Sequence, residues 1–382
     1  MDIDRFLAVA YELLAVRSTA DRPADLHKAL AFVADFAGPG FTVESFESGG
    51  KPSVLMYRGA HRRRFQVILN AHLDVVPAPP DQFQARLEGD RLYARGTQDM
   101  KVSALVQAQV FRELAGSLPY PLALQLVTDE EVGGRNGTLH QIEQGVRGEF
   151  VIIGEHSGLQ LVTDSKGMIT ATLRAVGRSG HSAYPWRGDN ALIKLQTSLA
   201  SLLAAYPPAT EEAWRTTVSL ARIQTPNQTR NQIPDLAEAW LDIRFPPDDT
   251  NLNGKTIPQI AAYLASFCEP DVTPVIETAD PPHHADQHRP EIRSLQQAVT
   301  NQGYRPDFLR KHGAADGRFY YQHGIDAVIF GVGGDGLHGP DEYADITTIA
   351  PYYQALTEFL LGFPSNRGDS VIRILFLLPV LP

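Results

Sequence analysis

Apolar residues recur along the chain in two rhythms, and the switches between them divide it into elements. Residues 3–17 and 24–37 carry apolar positions three and four apart, so two helices are expected to open the chain. Three short runs with strand character follow, "FTVESFE", "SVLMYR" and "FQVILNA". A Pro-rich loop, Pro77 to Pro80, leads to "RLYARGTQDMK", after which residues 100–114 return to helical spacing. From Gly167 to about Ala279 the order becomes strand 169–176, helix 191–206, strand 217–223, strand 238–245, helix 257–267, strand 272–278. That β-α-β-β-α-β succession predicts a ferredoxin-like unit, which can be inserted in another domain and can offer a sheet edge or helix face for dimerisation. Beyond the linker-like "DPPHHADQHRP" the pattern gives a helix after Pro290, a short strand near Phe308, a helix from Gly317, a strand at 327–331, a Gly-rich loop and a helix at 346–361. The expected organisation is a discontinuous α/β domain, 1–166 with 280–382, interrupted by a smaller domain at 167–279. The final "VIRILFLLPVLP" is apolar but broken by Pro379 and too short to span a bilayer.

Four of the apolar runs stop in the same way. "VILNAHLDVVP" ends in His72 and Asp74, "LALQLVT" in Asp129, Glu130 and Glu131, "FVIIG" in Glu155 and His156, and "AVIFGVGGDGL" in His338. Open α/β sheets bind ligands outside the carboxyl ends of their strands, so these residues are expected to converge on one crevice. Asp99, at the start of the 100–114 helix, can face either the backbone amides or a cation. Two imidazoles (His72, His338) and up to four carboxylates (Asp99, Glu130, Glu131, Glu155) exceed what one four-coordinate zinc needs, and two metals is the better count. One acid is then left over. Glu130 and Glu131 are adjacent and their side chains diverge, so one can ligate while the other accepts a proton from an attacking water.

Composition narrows the partners. The 382 residues are 43% hydrophobic and 20% charged, with a formal net charge of −10, which argues against nucleic acid or an anionic membrane as a main partner. The single cysteine, Cys268, cannot form an intrachain disulfide or build a cysteine zinc site, so any metal must be held by His and carboxylate. A reducing compartment and the lack of a secretion pattern in "MDIDRFLAVAYELLAVRS" make the cytoplasm the expected location.

The ordered motifs "HLDVVP", "GTQDMK", "TDEEVGG", "GEHSG", "GRSGHSAYPWRGDNA", "NQIPDLAEAWLDIR", "ADGRFYY" and "HGPDEY" resemble those of the co-catalytic zinc hydrolases. That family includes aminoacylase, acetylornithine deacetylase, succinyl-diaminopimelate desuccinylase and glutamate carboxypeptidase. The resemblance spans residues 1 to about 363. It implies a zinc-exopeptidase-like catalytic domain with a mixed central sheet, an inserted dimerisation domain, and two zinc ions per chain, with cobalt or manganese able to take the same ligands. By position, His72, Asp99 and Glu155 would hold one metal and Glu131, Asp99 and His338 the other, with Asp99 bridging. Glu130 becomes the general base, and Asp74 the carboxylate that orients His72. The resemblance further implies a cis bond after Asp99, a homodimer in which His181 reaches the partner's site to stabilise an oxyanion, and a substrate carboxylate met by Arg244, Asn231 and Arg318. Three departures stand out. His156 replaces a common proline, Val102 and Ser103 replace a frequent glycine pair, and Ala314 and Ala315 replace the hydroxyl residues of the desuccinylase Gly-Thr-Ser-Asp-Gly-Arg-Phe. The implied activity is hydrolysis of the amide bond of an N-acyl amino acid or small peptide. The alternatives are a carboxypeptidase or dipeptidase of the same family and, more distantly, a non-catalytic binding protein on the same fold.

Overall fold

The computed structural model describes residues 1–363, and the apolar C-terminal run lies outside them. Two helices open the chain, α1 (Ile3–Leu14) and α2 (Pro23–Ala37). Asp2 starts α1 by accepting the Arg5 amide at 3.1 Å, and Pro23 starts α2, where a residue without an N–H leaves no intrahelical bond unmade. The expected strands follow as the hairpin β1 (Thr42–Ser48) and β2 (Lys51–Tyr57), then β3 (Arg64–His72). After them come the short β4 (Arg86–Glu88) and β5 (Arg91–Tyr93), helix α3 (Val102–Leu114), β6 (Leu122–Val127), α4 (Thr138–Glu143), β7 (Arg147–Ile153) and β8 (Leu161–Ser165).

The middle of the chain forms a sheet of its own. Its elements are β9 (Gly167–Val176), β10 (Gly180–His181), α5 (Ala191–Ala205), β11 (Thr217–Gln224), β12 (Gln232–Ile233), β13 (Leu236–Phe245), α6 (Ile257–Ala265) and β14 (Val272–Asp280). The strand order is β11-β13-β9-β14 with every neighbour antiparallel, the arrangement of the split β-α-β motif. Burial alternates along β9 and β13, so Leu173 and Leu241 face a core closed by Leu195 and Leu199 of α5 and Ile260 and Leu264 of α6. The short β10 and β12 pair separately, placing His181 opposite Gln232.

The remaining elements are β15 (His283–His284), α7 (Pro290–Asn301), β16 (Phe308–Lys311), α8 (Gly317–Gln322), β17 (Asp326–Ile329), β18 (Gly333–Asp335), β19 (Tyr343–Asp345) and α9 (Ile349–Leu361). Of these, β15, β16 and β17 join the first sheet, whose order is β1-β2-β6-β3-β7-β17-β8-β15, with β16 beside β8. Strands β6, β3, β7 and β17 run parallel, while β2 and β8 flank them antiparallel. The fold is therefore α/β with a mixed central sheet. Parallel neighbours need crossovers, and α3 and α4 supply those from β3 to β6 and from β6 to β7. Val67 and Leu69 pack on the face covered by α1, α2, α3, α7 and α9, and Ile68 on the face covered by α4 and α8. Strands buried on both faces explain why these runs read as continuously apolar. A small antiparallel sheet, β18-β19-β5-β4, was not expected from the pattern, since its strands are three residues each and mostly polar.

His283 of β15 is fully buried, and its Nε2 hydrogen-bonds the Ala327 carbonyl of β17 at 2.9 Å. Burial pulls its pKa down from 6.5 to about 4. The unfolded chain therefore takes up a proton between those values that the folded chain refuses, and stability is lost as pH falls through that window. In denaturant titrations, wild type is expected to lose about 3 kcal/mol more between pH 6.5 and 4 than His283→Gln. Parallel pH profiles would contradict the assignment.

Candidate metal centre

The parallel strands deliver their polar ends to one edge. His72 closes β3, Glu130 and Glu131 follow β6, Glu155 follows β7, and His338 lies between β18 and β19. Asp99 comes from the irregular turn Thr97–Lys101 before α3, where Asp99 and Met100 have non-helical dihedrals. The helix thus begins at Val102, two residues later than expected, and Asp99 does not cap it. The Asp99–Met100 bond is cis, as the resemblance implied. Ligand atoms of His72, Glu130 and Glu155 lie within 4.8 Å of one another, as do those of Asp99, Glu131 and His338. Asp99 touches both groups, with Oδ1 2.8 Å from His72 Nε2 and Oδ2 3.2 Å from His338 Nε2. Glu155 Oε1 stands 3.1 Å from His72 Nε2, and Glu131 Oε2 3.2 Å from His338 Nε2. These separations approach the edge of about 3.3 Å of a tetrahedron with metal bonds of about 2 Å, so the residues present fit a pair of metal ions.

The electrostatics agree with the distances. Burial first and Glu155 second push Glu130 well above the usual carboxylate range, and burial and Asp99 push Glu131 up to about 8. Burial opposes a charged His72, yet Asp74, Asp99 and Glu155 together raise it well above its ordinary value. Burial likewise works to raise Glu155, but His156 and His72 hold it well below the usual range. The cluster draws in protons as its source of positive charge, and divalent cations on the same atoms answer the same demand.

The rest of the chain agrees as well. Residues 68–362 match the family described as "Peptidase family M20/M25/M40". The chain belongs to this family. Membership makes it a metallohydrolase acting on amide or peptide bonds. A succinyl-diaminopimelate desuccinylase of Granulibacter bethesdensis is 29% identical over 385 residues, covering 93% of this chain and 98% of its own. In three dimensions the chain is similar to aminopeptidase PepT from Bacillus cereus, with a TM-score of 0.74 at 17% identity over 94% of this chain and 98% of that one. It is also similar to a dinuclear metal-binding M20 peptidase from Bacillus subtilis, with a TM-score of 0.64 at 14% identity over 94% and 97%. Among the described residues no helix is long and apolar enough to cross a membrane.

Several residues hold this M20 centre in shape without standing in its ligand groups. Asp74 was expected to orient His72, but the closer partner of His72 Nδ1 is the Asp74 backbone carbonyl at 3.0 Å, the carboxylate lying at 3.5 Å. That carboxylate also accepts the amides of Glu130 and Glu131 at 3.3 and 3.0 Å, so one residue fixes the attitudes of three others. Glu342 was missed by the sequence reading. Buried at the end of the His338 loop, it accepts the amides of Gly96, Gln98 and Asp99 at 3.0 to 3.2 Å and pairs with the buried Arg95 at 2.5 Å. It thereby ties the loop of one His to the turn that carries Asp99. The only trace of it in the sequence is an acid in "HGPDEY" and an arginine in "YARGTQDMK", each close to a ligand.

The expected substrate residues lie apart from the cluster or are already engaged. Arg244 holds Asp242 through two bonds of 2.7 and 3.0 Å on its own strand. Arg318 is buried, packs over Phe319 and donates to the Gly133 carbonyl at 2.8 Å, so it braces the loop after Glu131 instead of standing open to a substrate. In that loop Gly134 has φ +65°, and a Cβ there would stand 2.2 Å from Asp316 Oδ1. His181 and Asn231 are exposed at the open end of the β10–β12 pair, where the Ser182 amide donates to the Asn231 carbonyl at 2.9 Å. His181 Nδ1 accepts the Ala183 amide at 3.1 Å, which leaves the proton of the neutral ring on Nε2.

Glu342→Gln keeps the shape but weakens the anchor of the Asp99 turn. Metal affinity measured by competition with a chromogenic chelator is expected to fall about 10- to 100-fold although no ligand changes. Unchanged affinity in a folded variant would remove Glu342 from this role.

Proposed function

We propose that this chain is a dinuclear zinc hydrolase that cleaves the amide bond of N-acyl amino acids, or of small peptides, bearing a free carboxylate. The observation that carries this reading is Asp99, whose two oxygens face the two imidazoles of the cluster. His72, Asp99 and Glu155 would hold one ion and Asp99, Glu131 and His338 the other. Zinc suits mixed imidazole and carboxylate ligation, and cobalt or manganese can take the same atoms. Ions held there supply Lewis acidity to the scissile carbonyl and lower the pKa of the attacking water. Glu130 takes the proton of that water and delivers it to the leaving amine. Asp74 keeps Glu130 aligned through the Glu130 and Glu131 amides and His72 through its backbone carbonyl. Residues 1–166 and 280–382 form the catalytic domain on this reading, and 167–279 a lid through which two chains pair. His181, with its Nε2 proton free to donate, serves the oxyanion in the partner's site. Arg244 exchanges Asp242 for the substrate carboxylate, Asn231 offers a separate polar contact, and Arg318 acts through the loop it braces. The single cysteine fits a cytoplasmic setting.

The peptidase names of the structural relatives keep a carboxypeptidase or dipeptidase activity in view, and a panel of N-acetyl, N-succinyl and dipeptide substrates separates these from a deacylase. A non-catalytic binding role is disfavoured because the ligands and Glu130 are all present. Glu130→Gln is expected to retain its metal and bind substrate while turnover falls by about 10²- to 10⁴-fold. Near wild-type turnover would discard Glu130 as the base. Mixing inactive Glu130→Gln and His181→Ala chains and letting dimers exchange tests the shared site. Each mixed dimer regains one complete site, so about a quarter of wild-type activity should return. No recovery from the two inactive parents would place His181 in its own chain's chemistry.

A further inference from the structure

Beside the cluster lies a cation that the mechanism above does not use. Lys311 closes β16, and its Nζ stands 3.3 Å from Nε2 of His156, the residue that follows the ligand Glu155. An ammonium only donates, so Nε2 accepts and the neutral imidazole carries its proton on Nδ1. That atom is buried without a hydrogen-bond partner, 3.5 Å from Glu155 Oε2. Glu155 Oε1 is in turn 3.1 Å from His72 Nε2, so Lys311 is separated from a proposed metal ligand by a single ring. Burial pulls the Lys311 pKa down, while the charges of Glu155, Asp99 and Glu130 work against that pull. Among the described residues no carboxylate oxygen lies within 4.0 Å of Lys311 Nζ. An ammonium has three donors, and His156 takes one of them.

A partly buried cation with spare donors and, among the described residues, no carboxylate at salt-bridge distance fits an incoming anion. We propose that Lys311 and His156 form an anion-binding corner that selects substrates carrying a second carboxylate, in addition to the one on the amino-acid portion. This rests on the reading of the crevice as an amide-hydrolysing site. The second carboxylate can belong to a dicarboxylic acyl group or to an acidic side chain, and the corner would recognise either through the same charge-assisted hydrogen bonds.

The test pairs substrates that differ only in that charge. N-succinyl-alanine against N-propionyl-alanine reports on the acyl side, and N-acetyl-glutamate against N-acetyl-glutamine on the side chain. In zinc-loaded wild type, one of the two pairs should favour its charged member. In Lys311→Met that preference should shrink about 10- to 100-fold, mainly through KM, while the uncharged member is cleaved as before and metal content is unchanged; Lys311→Arg should keep most of it. Equal losses for charged and uncharged members, or no preference in wild type, would overturn the proposal and make Lys311 a support for Glu155. Calorimetric binding of succinate and propionate to zinc-loaded wild type and Lys311→Met gives a reading independent of turnover. A succinate preference that depends on Lys311 upholds the anion corner even if no panel substrate is cleaved, in which case it is the hydrolase reading that fails. Binding that ignores Lys311 overturns the corner even if hydrolysis is robust.

Discussion

Carboxylates crowd one partly buried crevice, and the rest of the molecule is arranged around managing their repulsion. Glu130 and Glu131 follow each other along the chain, Glu155 lies close enough to raise the pKa of Glu130, and Asp99 stands between the two imidazoles. Left in a medium of low polarity, such groups bind protons or cations, because each charge must be answered nearby. Asp99 has the most constrained position, since its two oxygens serve both halves of the cluster. Glu342 fixes it from behind through backbone amides, and the buried Arg95 pairs with that anchor. Removing either partner would leave the other as an uncompensated buried charge, which is why the pair is expected to act as one unit.

The central sheet makes this crowding possible. Parallel β6, β3 and β7 end side by side, so residues far apart in sequence arrive at one edge with their spacing set by the distance between strands. The small sheet formed by β18, β19, β5 and β4 does the complementary work, since it brings the His338 loop against the turn holding Asp99. The antiparallel sheet of residues 167–280 has its own core, and among the described residues none of its side chains belongs to the two ligand groups.

What the sequence revealed and what it hid follow from the range of each interaction. Strands buried on both faces leave continuous apolar runs, and a His or acid that stops such a run is conspicuous, so His72, Glu130, Glu131, Glu155 and His338 were legible. The split β-α-β order was legible because its strands and helices are long enough to show their periods. Glu342 was not, because nothing local distinguishes a capping acid from a solvated one; its partners lie more than 240 positions away. The same holds for Arg318, whose arginine looks free in "ADGRFYY" but folds onto Gly133, and for Asp74, whose carboxylate turned out to serve the amides of the next loop more closely than the neighbouring ring. Three-residue strands such as β18 and β19 carry too few positions to reveal a period at all.

The central claim is that His72, Asp99, Glu131, Glu155 and His338 would hold two metal ions, with Asp99 serving both. The measurement that bears on it most directly is elemental analysis of protein purified without chelator, repeated after chelation and zinc return and read alongside amide hydrolysis. The account predicts about two equivalents of metal per chain, lost together with activity on chelation and regained together when zinc is restored. Full hydrolysis by metal-free protein, or binding that saturates at a single equivalent with full activity, would contradict it.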